Sequence, residues 1–358
     1  MLRIYPEKQS SQQNLFIFLL LLASVSPFLF VPFFTGWEAV NIQQIMPLAI
    51  LWLLSHAHQS STISIFLDKS AYPVIRNNKR YFFFFPLFVL TGVSIYHLLA
   101  NQLALELYLI FFTWLTVYHY QKQNIGVYVI LASKFHPGKV SEFERHLEFW
   151  SFLVGAIGVT VGLTGLFGHH DQLFKNLSLI PLAILLISYM VFLVVSYKKH
   201  GAEFFRKSLV MNIILLFMVL FYVPIYFFPP VTAFLMYGGA HALQYFLLMS
   251  LISLNVGNEM AGNQSSVWMK FVYVALAFLV FAFVTALADY SWLSMLELEI
   301  SSSWLGSQKD VAVLLAGIGT CFSIWHYIID ARLWKLSLPD SRKYVMKRLG
   351  YGLKQQKP

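Results

Sequence analysis

The chain has 358 residues, of which 58% are hydrophobic and only 11% charged, with a mean hydropathy of +0.65. Soluble domains are close to a quarter charged, so this balance excludes an ordinary soluble protein and points to an integral membrane protein. The formal charge of +9 raises a nucleic-acid partner until the basic residues are located, and the single cysteine, Cys321, excludes a disulfide framework or a thiolate metal cluster.

In chain order, apolar windows of about 20 residues, enough to cross a ~30 Å hydrocarbon core, fall near 14–34, 43–66, 81–100, 104–133, 146–168, 176–197, 208–228, 231–256, 268–289 and 310–335. The first window, NLFIFLLLLASVSPFLFVPFF, is too long for a signal-peptide core and has no small-residue cleavage site after it, so a retained span is expected. Helix is the expected structure throughout, because an open strand would leave unpaired backbone amides in lipid. Pro27, Pro47 and Pro224 predict local kinks. The expected fold is an all-α polytopic bundle of about ten transmembrane helices, forming one membrane domain over 1–358 without repeats.

Charge fixes the expected orientation. With the N-terminal segment 1–13 in the cytoplasm, all the Lys and Arg residues fall on the inner side except Lys175 and Lys309. Both termini are therefore expected inside a cell membrane, with a basic tail over 336–358 whose helix starts near Pro339 and lies on the inner surface. The net charge then reports topology and contact with membrane lipids, and no nucleic-acid partner is expected. The segment SWLSMLELEISSSWLGSQ reads as an outer interfacial loop.

Ionisable groups at membrane depth are costly unless paired, and they mark function. Four even-numbered windows carry them: LLSHAHQSSTISIFL with His56, His58 and Gln59; LTVYHYQKQNIGVYV with His119, Gln121, Lys122 and Gln123; GGAHALQYFLL with His241, Gln244 and Tyr245; and SIWHYIIDARLW with His326 and Asp330. His56, His119 and His326 sit about 15 residues into their windows and His241 about 10, roughly 22 and 15 Å from the outer face. All four windows are expected to run from outside to inside, so the histidines share a layer in the inner half of the bilayer.

One histidine in a membrane helix is ordinarily a packing residue. Four at matched depth, each with a polar partner at helical spacing, point instead to a metal or catalytic centre. Imidazole is the commonest metal-ligating side chain. Asp330, four residues after His326, shares its helix face and can ligate or orient a histidine. His56 and His58 stand about 200° apart on a helix, so one of the two is expected to complete the shell. Gln59, Gln123 and Gln244 are expected around the ligands, hydrogen-bonding water, ligand or one another. Lys122 is expected to snorkel to the inner surface or to answer Asp330, and Tyr245 to orient a ligand or donate a proton. His169, His170 and Asp171 read as an outer surface loop, and His136, His146 and His200 as solvated inner loops.

A histidine-rich centre with one carboxylate suits iron, copper or zinc better than magnesium or calcium. The expected function is a membrane metal-dependent oxidoreductase of the oxygenase, hydroxylase or desaturase type. Non-haem iron is the expected cofactor, with a hydrophobic substrate and an electron donor as partners. The histidines spread over several helices resemble those of the histidine-ligated non-haem iron enzymes of membranes, such as lipid desaturases and bacterial carotene-cleaving dioxygenases. The spaced histidine boxes of the desaturases are absent, so no family membership follows. Three alternatives stand beside it: a b-type haem electron-transfer protein with paired axial histidines, a transporter with a His/Asp-lined path, for which YGGAH offers a helix break, and an acyl or glycosyl transferase with a histidine base.

Overall fold

A computed structural model describes residues 11–34, 58–59, 62, 64–99, 102–136, 140–166, 176–177, 179–228, 230–260, 309–335 and 337–348. Regular structure among the described residues is entirely helical. The helices are α1 (Ser11–Phe34), α2 (Ser64–Leu67), α3 (Tyr72–Asn77), α4 (Phe85–Leu99), α5 (Gln102–Phe135), α6 (Glu142–Leu166), α7 (Ile180–Lys207), α8 (Leu209–Val219), α9 (Pro230–Met260), α10 (Lys309–Leu333) and α11 (Pro339–Arg348). Most of window 43–66 and all of 268–289 lie outside the described residues, as do His56, His169, His170, Asp171 and Lys175. The described residues of the other windows are largely helical. Among the described residues, three helices are long and apolar enough to cross a membrane: Glu142–Thr164, Ile180–Lys207 and Leu209–Tyr226.

The chain forms two compact units, each assembled from separated stretches of sequence. The central unit takes the described residues of Gln9–Leu51 and Glu106–Gln244, and the C-terminal unit those of Trp52–Leu105 and Tyr245–Pro358.

In the central unit, α6 starts at a reciprocal capping box. The Glu144 backbone N–H donates to Ser141 Oγ at 3.1 Å, and the Ser141 N–H donates to Glu144 Oε2 at 2.6 Å. Its Gly155 lets the chain come close to the turn after α8, since a Cβ there would stand 2.6 Å from the Tyr222 ring. Tyr222 and Tyr226 donate to the carbonyls of Val117 and Val154 at 2.9 and 3.0 Å, tying that turn to α5 and α6. The expected kink at Pro224 is a full break. α8 ends at Val219 and a 3-10 turn follows at Val223–Tyr226, because proline lacks an N–H and its ring clashes with the carbonyl four residues back. At Pro27, α1 runs on unbroken. Ser26 Oγ donates to the Ala23 carbonyl at 2.7 Å, the acceptor for which Pro27 has no N–H. α7 shows Ile184, Ile187, Met190, Val194 and Val195 half-exposed or more along its length, an apolar surface suited to lipid. It turns at Gly201, whose φ of 79° favours glycine.

In the C-terminal unit, α10 packs along α4 and the π-helical turn Arg80–Phe84 before it, where Trp325 Nε1 donates to the Phe82 carbonyl at 3.3 Å. The expected basic helix begins at Pro339, with proline at N1 and Asp340 in the first turn. It does not simply lie on a surface, however: Ser341, Tyr344, Val345, Met346 and Arg348 are buried. Arg348 makes a two-pronged ion pair with Asp68 at 3.0 and 2.9 Å and a bond to Ser70 Oγ at 2.6 Å. Asp68 in turn caps the short turn after α2 through the Ser70 N–H at 2.9 Å. Burial, and then the neighbouring Asp68 carboxylate, push the Tyr344 phenol above its ordinary pKa.

Removing one partner of a buried pair strands the other charge at a cost of about 3–5 kcal/mol. Arg348→Ala should therefore lower the thermal unfolding temperature in detergent strongly, and Arg348→Lys only partly, since lysine lacks the planar fork. An Arg348→Ala protein melting like the parent would show that the tail helix is not anchored this way.

Candidate metal centre

Within the C-terminal unit, five buried side chains from three stretches of chain come together: His58, Thr62, Tyr245, His326 and Asp330. His326 and Asp330 occupy one face of α10 at i and i+4, which sets His326 Nε2 3.5 Å from Asp330 Oδ2. Tyr245, on α9, donates its hydroxyl to Asp330 Oδ1 at 2.8 Å. Thr62 Oγ1 lies 3.0 Å from the Tyr245 hydroxyl and 2.6 Å from His326 Nδ1. Thr62, His326, Asp330 and Tyr245 thus close a ring of polar contacts. The His58 ring stands edge-on to His326 with centroids 4.8 Å apart, and ligand atoms of the two imidazoles lie within 4.8 Å of each other. Trp334 packs against Tyr245 at 6.2 Å and walls that side.

Two donors held by one ion at about 2.1 Å each stand about 3 Å apart. The His326–Asp330 separation of 3.5 Å therefore needs little adjustment to share an ion, and His58 brings a further imidazole within 4.8 Å of His326. Imidazole and carboxylate are donors suited to a first-row transition metal. A buried His/Asp cluster that could hold a metal ion is present.

The central unit carries a second imidazole pair. His119 of α5 and His241 of α9 have ring centroids 5.0 Å apart at 74°. The Tyr120 ring lies over His241 at 4.0 Å, and a Cβ at Gly238 would sit 3.3 Å from the Tyr120 hydroxyl. Gln123 Nε2 donates to the His241 carbonyl at 3.0 Å and to Gln244 Oε1 at 3.2 Å, and Gln244 Nε2 donates to Ser24 Oγ at 3.1 Å. The amides expected around the ligands thus clamp α5, α9 and α1 by their backbones and side chains. α9 is continuous through YGGAH, so the expected helix break is not there.

Gln59 accepts from Ser323 Oγ at 3.3 Å, beside the C-terminal cluster. Lys122 is exposed, with its ammonium 5.2 and 4.7 Å from the Tyr118 and Phe149 ring centroids, and is not brought to a histidine. His136, expected to be solvated, instead has its side chain covered beside Glu144, with Nε2 to Oε1 at 3.2 Å. Thr62, the hub of the polar ring, is not among the residues expected from the sequence. Its signal was a hydroxyl one helical turn after His58.

Comparison with protein-family models, curated proteins and solved structures finds no match for this chain.

Replacing Tyr245 by Phe removes the hydroxyl that serves both Thr62 and Asp330. A buried acceptor left without its donor costs about 1–3 kcal/mol, so Tyr245→Phe should lower the unfolding temperature. Asp330→Asn should partly restore it, because an amide demands less than a carboxylate. Unchanged melting in Tyr245→Phe would mean that the ring of contacts is not made.

Proposed function

We propose that this chain is an integral-membrane, metal-dependent oxidoreductase acting on a hydrophobic substrate, with non-haem iron as its cofactor. The supporting observation is the buried ring of Thr62, His326, Asp330 and Tyr245 with His58 against it. Two histidines and one carboxylate with further positions open are the donor set of non-haem iron oxygenases. An iron bound there would supply oxygen activation and electron transfer.

The protein's own residues position and shield. Tyr245 donates to Asp330. With Thr62 donating to Tyr245, and His326 Nδ1–H to Thr62, the lone pair of His326 Nε2 points towards Asp330 Oδ2. The two atoms, 3.5 Å apart, are placed to share a cation. Burial of all five side chains excludes water, as oxygen chemistry on an apolar substrate requires. Within the central unit, His119 and His241 are proposed as a further pair of imidazole metal ligands. The close edge-on approach of His58 to His326 favours non-haem ligation over haem. Axial imidazoles flanking a haem put their nitrogens about 4 Å apart with the ring centroids farther still.

We also propose ten membrane-spanning helices in a cell membrane with both termini in the cytoplasm, supported by the three apolar helices and the one-sided distribution of Lys and Arg.

Two measurements test this function and topology. Purified protein should contain about one or two equivalents of a transition metal, iron foremost. That content should fall in His58→Ala, His326→Ala, Asp330→Ala and His119→Ala but not in Lys122→Gln. Equal metal in all five variants would count against the centre, and a sharp haem band in the reduced-minus-oxidised spectrum would replace it with the haem alternative. For topology, a reporter fused after Lys175 should read outside and one after Ala202 inside, and the reverse pattern overturns the orientation.

A further inference from the structure

α5 is polar on two sides. His119 and Gln123 share one face, while Gln121, Asn124 and Tyr128 share another about 150° away around the helix. The second face meets α6. Tyr128 donates to Glu144 Oε1 at 2.9 Å, Gln121 Nε2 donates to the Glu148 backbone carbonyl, and Trp114 Nε1 donates to Thr160 Oγ1 at 2.7 Å. Residue numbers fall along one helix as they rise along the other, so the pair is antiparallel. One turn on from the Tyr128–Glu144 bond, Asn124 on α5 comes level with Glu148 on α6.

The two carboxylates of this seam are treated differently. Glu144 is answered by Tyr128, by His136 at 3.2 Å and by the Ser141 N–H at 2.6 Å. Glu148 is fully buried, and neither of its carboxylate oxygens has a hydrogen-bond partner among the described residues. The donors nearby do not serve it, since Gln121 Nε2 and Ser151 Oγ both give their hydrogens to the Glu148 main-chain carbonyl. Gln121 Oε1 and both polar atoms of Asn124, whose side chains are likewise fully buried, also lack partners among the described residues. The neighbouring phenol of Tyr222 donates elsewhere, to Val117.

Four acceptor oxygens therefore share one level of the bundle with a single amide donor. Burying a carboxylate and amide oxygens without donors costs several kcal/mol, and a proton on Glu148 would answer only part of the surplus. Hard oxygen donors with one negative charge suit an alkali cation, whereas a divalent ion would leave a net charge buried. From this geometry we infer that Gln121, Asn124 and Glu148 form a binding site for a monovalent cation between α5 and α6. It lies on a different face of α5 from His119 and does not depend on the metal centre.

Thermal unfolding of the full-length protein in detergent, followed by tryptophan fluorescence, tests this with sodium chloride against choline chloride at equal ionic strength. The parent should show a saturable rise in Tm with sodium and bind about one radiolabelled sodium per chain. Glu148→Gln should lose the rise, and Asn124→Ala should shift its half-point to about tenfold higher sodium, the effect of one lost interaction of hydrogen-bond size. His326→Ala should keep it. The site is overturned if the parent melts identically in both salts, if pH alone moves its Tm, or if Glu148→Gln keeps the full sodium response. Should Glu148→Gln not fold, sodium binding to the parent and to Asn124→Ala decides.

Discussion

Asp330 sets the terms for its surroundings. A carboxylate buried on an apolar helix is costly unless the groups that touch it offer a hydrogen or an ion. Tyr245 offers the hydrogen, and His326 offers the nitrogen with which an ion can be shared. Thr62 holds both of those side chains at once, so three stretches of chain are locked around one charge. In a low-dielectric interior such a ring is far stronger than the same contacts in water, and far more costly to leave incomplete. That cost is what makes the location of the polar residues informative.

The same constraint shapes the rest of the molecule. Ser26 answers the carbonyl orphaned by Pro27, tyrosine hydroxyls from the turn after α8 answer carbonyls of α5 and α6, and Arg348 answers Asp68. The tyrosine bonds join apolar elements to their neighbours where hydrophobic burial alone discriminates poorly, because lipid is as apolar as the packed face. Where the matching fails, at Glu148 and Asn124, a bound cation becomes the simplest completion. α5 emerges as the element shared by two polar sites, one towards α9 and one towards α6.

The histidine sites divide by unit. His58, His326 and Asp330 belong to the C-terminal unit and His119 and His241 to the central one, with the boundary falling inside α9 between Gln244 and Tyr245. One continuous helix thus presents an imidazole and a phenol a single turn apart, each engaged within its own unit. The oxidoreductase proposal rests on the donor set of the C-terminal cluster, while the cation site rests on a separate seam.

Composition and periodicity by themselves determined that the chain is helical and apolar enough for a membrane, roughly where its helices lie, and that His326 and Asp330 share a face. These properties follow from hydrocarbon thickness and from a helical repeat of 3.6 residues. The break before Pro224 was half legible, as a kink, because the missing N–H is local while the length of the interruption depends on how Tyr222 and Tyr226 dock. Thr62, Asn124 and Glu148 were not legible as sites. Each is a common residue type whose role depends on what faces it from another helix, and single-helix periodicity carries no information about a partner's register. Only the tertiary structure decided that Tyr245 bonds Asp330, that Lys122 turns to aromatic rings, that the His136 side chain packs against Glu144 and that the tail helix is anchored at Asp68. Those choices are made by which buried charges find donors, and that is settled between helices.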